Sequence, residues 1–184
     1  PPLEGLIDYP FLPEKSQEMD VWLIMSCAFF IGHNSGPLEV ANLFQKPTIT
    51  PNIVEFNFAY PLRRGDLGIL KHVYSHEEQR FLSVKEAIEL YLCHDTAVIT
   101  NKNYSFHENS SEEITQLIQE FVGSSKIGYD NNSSEYQKKV LDHRRNLESP
   151  FINSWDRSIT EKERMVTRLL GCSGLLGRKF LDQN

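Results

Sequence analysis

An α/β fold with helices flanking a parallel sheet is what this sequence predicts, on three observations. Residues 20–50 pass from a helical pattern to a short strand, a turn, a second helix and a second strand. The first strand, Phe29-Phe30-Ile31, is wholly apolar and stops at Gly32, the pattern of a central strand covered on both faces. The turn at its carboxyl end, His33-Asn34-Ser35-Gly36, leads straight into the second helix. The length, 184 residues of which 40% are hydrophobic and 24% charged, suffices for one good core and is short for two domains.

The elements follow in order. Leu6 to Tyr9 is a strand or a loop entry, and Pro10 and Pro13 make the next residues an irregular connection. Ser16 is the expected N-cap of a helix that places Met19, Trp22, Leu23 and Cys27 on one face. Pro37 is expected at the first position of the second helix, whose apolar side is Leu38, Ala41, Leu43 and Phe44. Lys46-Pro47 ends it and Thr48-Ile49-Thr50 begins a strand. Residues 51–61, rich in aromatics and holding two prolines, read as an ordered loop with Asn52 just past the strand. Leu67 to Leu70 is a short apolar run that Lys71 and His72 follow.

Two capping boxes come next. Ser83-Val84-Lys85-Glu86 opens a helix that reaches about Cys93, and Ser110-Ser111-Glu112-Glu113 opens another. The second carries Ile114, Leu117, Ile118 and Phe121 as an apolar stripe ending near Gly123. Between them Ala97 to Thr100 is a candidate strand. Residues 124–134 form the expected flexible connection, 135–147 a polar helix and 159–170 a further helix. Phe151, Ile152 and Trp155 make an apolar patch, and Leu175, Leu176, Phe180 and Leu181 a terminal anchor. Charges on Lys138, Lys139, Arg144 and Arg145 form a solvated surface or, for the arginine pair, contact an acidic partner.

A formal net charge of −6 argues against a nucleic-acid-binding surface. Cys27, Cys93 and Cys172 lie far apart without metal-finger spacing, and their odd count fits a reducing compartment. His33, His72, His76, His94, His107 and His143 show no metal-binding spacing, and no Asp-x-Asp occurs, so no metal is expected. No stretch reaches the ~20 apolar residues of a bilayer span and no signal peptide is recognisable, so a cytoplasmic location is expected.

The candidate chemistry starts at the turn. Backbone N–H groups entering a helix, with about half a positive charge from the helix dipole, hold an anion and above all a phosphate. Asn34 and Ser35 supply polar groups there, Gly36 admits a close approach, and Glu39 one turn on accepts from sugar or ribose hydroxyls. An ordinary strand-to-helix connection capped by Ser35 fits the same residues. Asn52 reaches toward a diphosphate or donor sugar, or is a turn residue after a proline. Arg63-Arg64-Gly65-Asp66 suits a diphosphate, since guanidinium groups pair bidentately with phosphate oxygens; a solvated loop with Asp66 pairing an arginine is the other account. Arg63, Arg64 and Lys71 are the candidates to neutralise a departing diphosphate, and His33 is the one histidine placed at the turn.

The Asp20 to Thr50 segment, with Ser35-Gly36 before a helix and Lys46-Pro47-Thr48-Ile49 after it, resembles the donor-binding half of GT-B glycosyltransferases and of nucleotide-sugar 2-epimerases. Residues 61–71 (PLRRGDLGILK), 80–83 (RFLS) and 108–114 (ENSSEEI) extend the likeness to a group of bacterial glycosyltransferases found near surface-polysaccharide genes. It covers residues 7–121 and, more loosely, the tail. That family often has a small or acidic residue where this chain has His33 and Asn34.

The resemblance implies a Rossmann-like open parallel sheet flanked by helices, with residues 1–125 as the nucleotide-sugar region and 126–184 as a helical C-terminal extension packed on it. It implies a metal-independent glycosyltransferase without a bound cofactor, moving a sugar from a nucleotide-diphosphate donor to an acceptor glycan or lipid-linked sugar. Such an enzyme works in the cytoplasm, including the inner face of the membrane as a peripheral protein. His33, Arg63 and Arg64 then stand in the catalytic group, with Asn34, Ser35, Gly36, Glu39, Asn52 and Lys71 binding the donor. A GT-B enzyme has two such domains, and the chain opens at Pro1 without an initiator methionine, so a missing N-terminal domain or partner subunit is expected. A 2-epimerase and a non-catalytic scaffold on the same fold are the alternatives.

Overall fold

A computed structural model of the chain describes residues 4–54, 61, 63, 65–90, 92, 102–127 and 174–183. After a 3₁₀ turn at Tyr9–Phe11 the elements are α1 (Gln17–Ser26), β1 (Phe30–Ile31), α2 (Gly36–Leu43), β2 (Thr48–Ile53) and β3 (Leu67–Leu70). Then come β4 (His72–Ser75), β5 (Arg80–Phe81), α3 (Val84–Glu89), β6 (Tyr104–His107), α4 (Ser111–Ile127), β7 (Leu175–Leu176) and α5 (Arg178–Gln183). The expected strand at Ala97 to Thr100, the polar helix 135–147, the patch 151–155 and the helix 159–170 lie outside the described residues, as do residues 55–60 of the expected loop.

The fold is mixed α/β. Four parallel strands lie in the order β1-β2-β3-β7, and a separate antiparallel sheet has the order β5-β4-β6. Only Lys71 separates β3 from β4, so one run of chain passes from the parallel sheet into the antiparallel one. The amphipathic stripe of α4 explains how the parallel sheet is covered. Leu117 and Phe121 bury against Ile49, Ile53, Leu67, Ile69 and Leu70, and each such side chain contributes roughly 1.5–3 kcal/mol. α2 adds Leu38 and Ala41 to the buried set, while Leu176 and Phe180 join the main cluster from the far end of the chain.

The helix starts follow the sequence rules. Ser16 Oγ accepts from the Met19 amide at 3.1 Å, the N-cap bond expected of α1. Both capping boxes close: the Ser83 amide donates to Glu86 Oε2 at 2.8 Å and the Glu86 amide to Ser83 Oγ at 3.2 Å. Ser110 and Glu113 repeat that pattern at the start of α4. α4 itself runs past Gly123 to Ile127, so the first residues of the expected flexible connection are helical. Gly36, and not Pro37, is the first residue of α2; proline at the second position is tolerated for the same reason, because the first-turn N–H groups have no intrahelical partner.

Four expectations are corrected. Phe30–Ile31 is not a central strand; it stands at the sheet edge, paired only to β2 among the described strands, and Ile31 is 41% exposed. Sequence gives an apolar run the same appearance whether one face or two is covered. The apolar face of α1 is not buried: Trp22 is 53% exposed and no residue of that helix is buried.

The strand begun by Thr48 does not stop at Thr50. β2 continues through Pro51 and Asn52 to Ile53, by way of a register shift in which Thr50 pairs with Gly68 and Ile53 with Leu70. The irregularity is what admits a proline, which cannot donate to the ladder, and it puts Asn52 at φ 55°. Gly68 faces this bulge, where a Cβ would lie 2.9 Å from the Thr50 carbonyl oxygen. Last, Leu175–Leu176 is a strand beside β3 within the sheet, so the segment 126–184 is not solely a helical extension.

Candidate functional site

Parallel strands bring their carboxyl ends to one edge, and at such edges open α/β sheets bind ligands. Here that edge gathers the turn after β1, the last residues of β2, Lys71 after β3 and the loop Glu108 to Ser110 that enters α4. Its frame is a pair of buried asparagines. The Asn52 amide donates to Asn109 Oδ1 at 2.7 Å, the Asn109 amide donates to Asn52 Oδ1 at 2.6 Å, and Asn109 Nδ2 donates to the Leu70 carbonyl at 2.7 Å. Asn52 is therefore a structural clamp between β2 and the start of α4, its side-chain oxygen engaged by Asn109.

Two charged side chains sit on that frame. Lys71, anchored by its amide to the Ile53 carbonyl, reaches Glu108 Oε1 with Nζ at 2.6 Å. The Lys71 hydrogen bond holds the Glu108 carboxyl below the usual carboxylate range; burial opposes it, and the charge of Lys71 and, last, that of His33 act in the lowering direction. That influence places His33 within electrostatic reach of Glu108.

The turn itself is exposed from His33 to Pro37. Ser35 is the N-cap by position, with extended backbone, but its hydroxyl donates to the His33 carbonyl at 3.2 Å and caps no amide. The Leu38 and Glu39 amides both point back to the Ser35 carbonyl, and Pro37 has no N–H. Gly36 is thus the first-turn residue of α2 whose amide has no hydrogen-bond partner among the described residues. Asn34 and Glu39 are exposed beside it. The edge thus offers the Gly36 amide and helix dipole on one side and the Lys71–Glu108 pair on the other, a sparser arrangement than a glycine-rich loop supplies.

Arg63 is elsewhere. Asp66, 1% exposed, stands at the amino end of β3 and accepts from the Thr48 amide at 2.9 Å and from the Arg63 amide and Nε at 2.9 and 3.1 Å. The guanidinium continues to Asn42 Oδ1 at 3.3 Å and to the Lys46 carbonyl in a very short contact, satisfying carbonyls past the end of α2. Arg63 and Asp66 therefore lock the amino edge, opposite the His33, Gly36 and Lys71 edge. Arg64 lies outside the described residues.

The Asp66–arginine pair is one of the two accounts the sequence offers for this loop, and Arg63 is the arginine it takes; Glu108 and Asn109 are not marked by the sequence, because a lone acid or amide in a loop carries no periodic signal. Nor does the sequence mark His72, whose Nε2 lies 2.8 Å from Glu113 Oε1 and whose ring packs on Phe81 and Phe180. Burial pulls the Glu113 carboxyl upward, but the Ser110 amide and hydroxyl together with His72 outweigh it, and the group stays below its usual range. A cleft between α4 and α5 holds Glu120, which burial pushes upward although the Arg178 and Lys179 amides oppose the shift. Its volume of about 10 Å³ is that of one water, too small for an organic ligand.

Among the described residues no three His, Cys, Asp or Glu side chains are grouped to hold a metal ion, and no helix is long and apolar enough to cross a membrane. Comparison of the chain with protein-family models, with curated proteins and with solved structures finds no match in any of the three.

Proposed function

We propose that the carboxyl edge of the parallel sheet binds the diphosphate of a nucleotide-sugar, and that the chain is the Rossmann-like, donor-binding half of a GT-B type glycosyltransferase. What supports this reading is that the Gly36 amide at the start of α2 and Lys71 at the end of β3 both follow the carboxyl ends of parallel strands of one sheet. An amide and an ammonium at one sheet edge suit a group with several anionic oxygens. The order of the sequence motifs supplies the choice of a nucleotide-sugar among such ligands.

In the reaction, the bond between the sugar's anomeric carbon and the diphosphate oxygen breaks, and the electron pair leaves with the diphosphate. Lys71 and the Gly36 amide stabilise that charge, with His33 beside them; Ser35 and Asn34 line the turn, and Glu39 accepts from ribose hydroxyls. The hydroxyl oxygen of the acceptor, a glycan or lipid-linked sugar, forms the new bond to the anomeric carbon and gives up its proton to a base on a second domain or subunit. Arg63 has no part in this scheme, since its guanidinium is committed to Asp66, Asn42 and Lys46 at the other edge.

The experiment is thermal unfolding of the chain with UDP, GDP and their sugar conjugates, repeated for Glu39→Ala. A ligand at 100 times its dissociation constant adds about 2.7 kcal/mol to stability. The expected result is a shift with one base that shrinks in the variant; no shift with any nucleotide contradicts the reading.

A further inference from the structure

α1 is apolar on two opposite sides, and the described chain covers one of them. Met19, Ile24 and Cys27 are half-buried along one side, and α1 packs on α2. The opposite side carries Glu18, Val21, Trp22 and Met25, spaced i, i+3, i+4 and i+7, and all four are exposed, Trp22 at 53%. That spacing is the anchor pattern by which a helix meets a partner. The entrance of the helix is fixed as well: the Tyr9 hydroxyl donates to the Ser16 carbonyl at 3.1 Å and accepts from the Ser16 amide at 3.2 Å, which ties the 3₁₀ turn to the start of α1. That turn shows Phe11 to solvent at 83%. Large apolar side chains held outward on a pinned backbone mark an interaction surface.

The charges around it select the partner. Residues 4–25 hold five carboxylates, on Glu4, Asp8, Glu14, Glu18 and Asp20, against one cation, Lys15, and so carry most of the chain's formal net charge of −6. Glu4, Asp8, Glu14 and Glu18 are exposed, and no ion pair holds any of them among the described residues. The carboxylates gather at the amino end of α1 and before it, while residues 21–26 carry none. A second copy would bring the same carboxylates to the contact, and an anionic lipid surface or a nucleic acid would be repelled in the same way. A helix of another protein, with its own apolar stripe and with lysines or arginines at the end that meets Glu14 and Glu18, satisfies both features. Trp22 would be the central anchor of such a contact. We infer that the outward side of α1 is a docking surface for a cationic amphipathic helix of a partner protein. The inference does not depend on the donor-site reading.

The test is titration calorimetry of the full 184-residue chain with synthetic helical peptides of about five turns, roughly 18 residues. One is an amphipathic Leu/Lys helix, one its Leu/Glu counterpart of the same pattern, and one an Ala/Lys helix with the same cations and no large apolar stripe. The chain is used unaltered and as Trp22→Ala, Glu18→Lys and Leu90→Ala, the last changing an exposed leucine outside this region. All three side chains are exposed, and thermal unfolding checks each fold. Sedimentation of the chain and flotation with phosphatidylcholine vesicles run alongside. The Leu/Lys peptide should bind the unaltered chain, about tenfold or more weaker in Trp22→Ala, about fivefold weaker in Glu18→Lys and unchanged in Leu90→Ala. The Leu/Glu and Ala/Lys peptides should each bind about tenfold or more weaker than Leu/Lys.

Binding of the Leu/Glu or the Ala/Lys peptide as tightly as Leu/Lys overturns the inference, because the contact then needs only one of the two features. Leu/Lys binding that Trp22→Ala leaves unchanged overturns it as well. A dimer that Trp22→Ala dissolves gives the face to a second copy, and flotation that Trp22→Ala abolishes gives it to lipid; either result is a contradiction. No binding of the Leu/Lys peptide to the unaltered chain, whether the chain's own residues hold the face or nothing does, overturns the inference too.

Discussion

Asn52 and Asn109, 57 positions apart, each donate a backbone amide to the other's side-chain oxygen, at 2.7 and 2.6 Å. Both are buried, so an alanine at position 109 leaves the Asn52 amide and the Leu70 carbonyl without partners in a place water reaches poorly. Asn109→Ala should destabilise the chain by about 2–4 kcal/mol, the scale of one or two buried groups losing their bonds. Denaturant titration reads this directly. A change within experimental scatter of zero would mean the clamp does not hold the edge together.

The second prediction concerns Asp66. Its carboxylate serves Thr48 and Arg63 at once and is almost wholly enclosed. Asp66→Ala leaves the Thr48 amide without its partner and takes from Arg63 its one charged partner, leaving its bonds to Asn42 and Lys46, and should cost about 2–4 kcal/mol. Arg63→Lys keeps the charge but loses the planar fork that spans Asp66, Asn42 and the Lys46 carbonyl, so it should cost about 1–2 kcal/mol. Thermal unfolding of the two variants should rank them in that order.

A pH dependence follows from Glu86. Hydrogen bonds from Arg80, then from the Ser83 amide and hydroxyl, depress its carboxyl from 4.5 to about 2. A depressed acid stabilises the fold fully above its unfolded value, and the contribution fades as the pH falls from 4.5 toward about 2. Carbon-detected titration of the Glu86 carboxyl should therefore give a midpoint near the lower value at low salt. In Arg80→Ala the midpoint should rise toward 4.5; added salt should raise it in the unaltered chain, since the pair is exposed. A midpoint near 4.5 in the unaltered chain would contradict the Arg80 contact.

Gly68 supplies a further test. A methyl there would lie 2.6 Å from Ile53 Cδ1 and 2.9 Å from the Thr50 carbonyl oxygen, and the backbone oxygen cannot move without disturbing the bulge. Gly68→Ala should cost about 1–3 kcal/mol, against the usual gain of an alanine at a strained-free site. Equal stability would show that β2 does not bend toward β3 at this point.

How much of this was legible in the sequence depends on the kind of signal. Ser16, the two Ser-x-x-Glu capping boxes and the stripe Ile114, Leu117, Ile118 and Phe121 are local patterns, and the helices begin where those patterns put them. Strand order is not local: Phe30 and Ile31 read alike at the edge or the centre of a sheet, and two residues such as Leu175 and Leu176 carry no period. Pro51 argued against a strand because the register shift that accommodates it depends on Gly68, which is 17 or 18 residues away across the sheet and invisible in a window. At the candidate site the turn from His33 to Gly36 and the cation Lys71 were legible as residue types beside strand ends. The separation of Arg63 from them was not, since its partners Asn42, Lys46 and Asp66 are set by how the chain crosses from α2 to β3.

The most direct test of the central claim is a nitrogen–proton correlation spectrum of the chain titrated with UDP. Ligand at the carboxyl edge should shift the amides of residues 33–39, Lys71 and residues 108–111 together, with one dissociation constant, and leave those of Arg63, Asp66 and Thr48 in place. Shifts centred on Arg63 and Asp66, or none at any concentration, would contradict the assignment of the diphosphate to this edge.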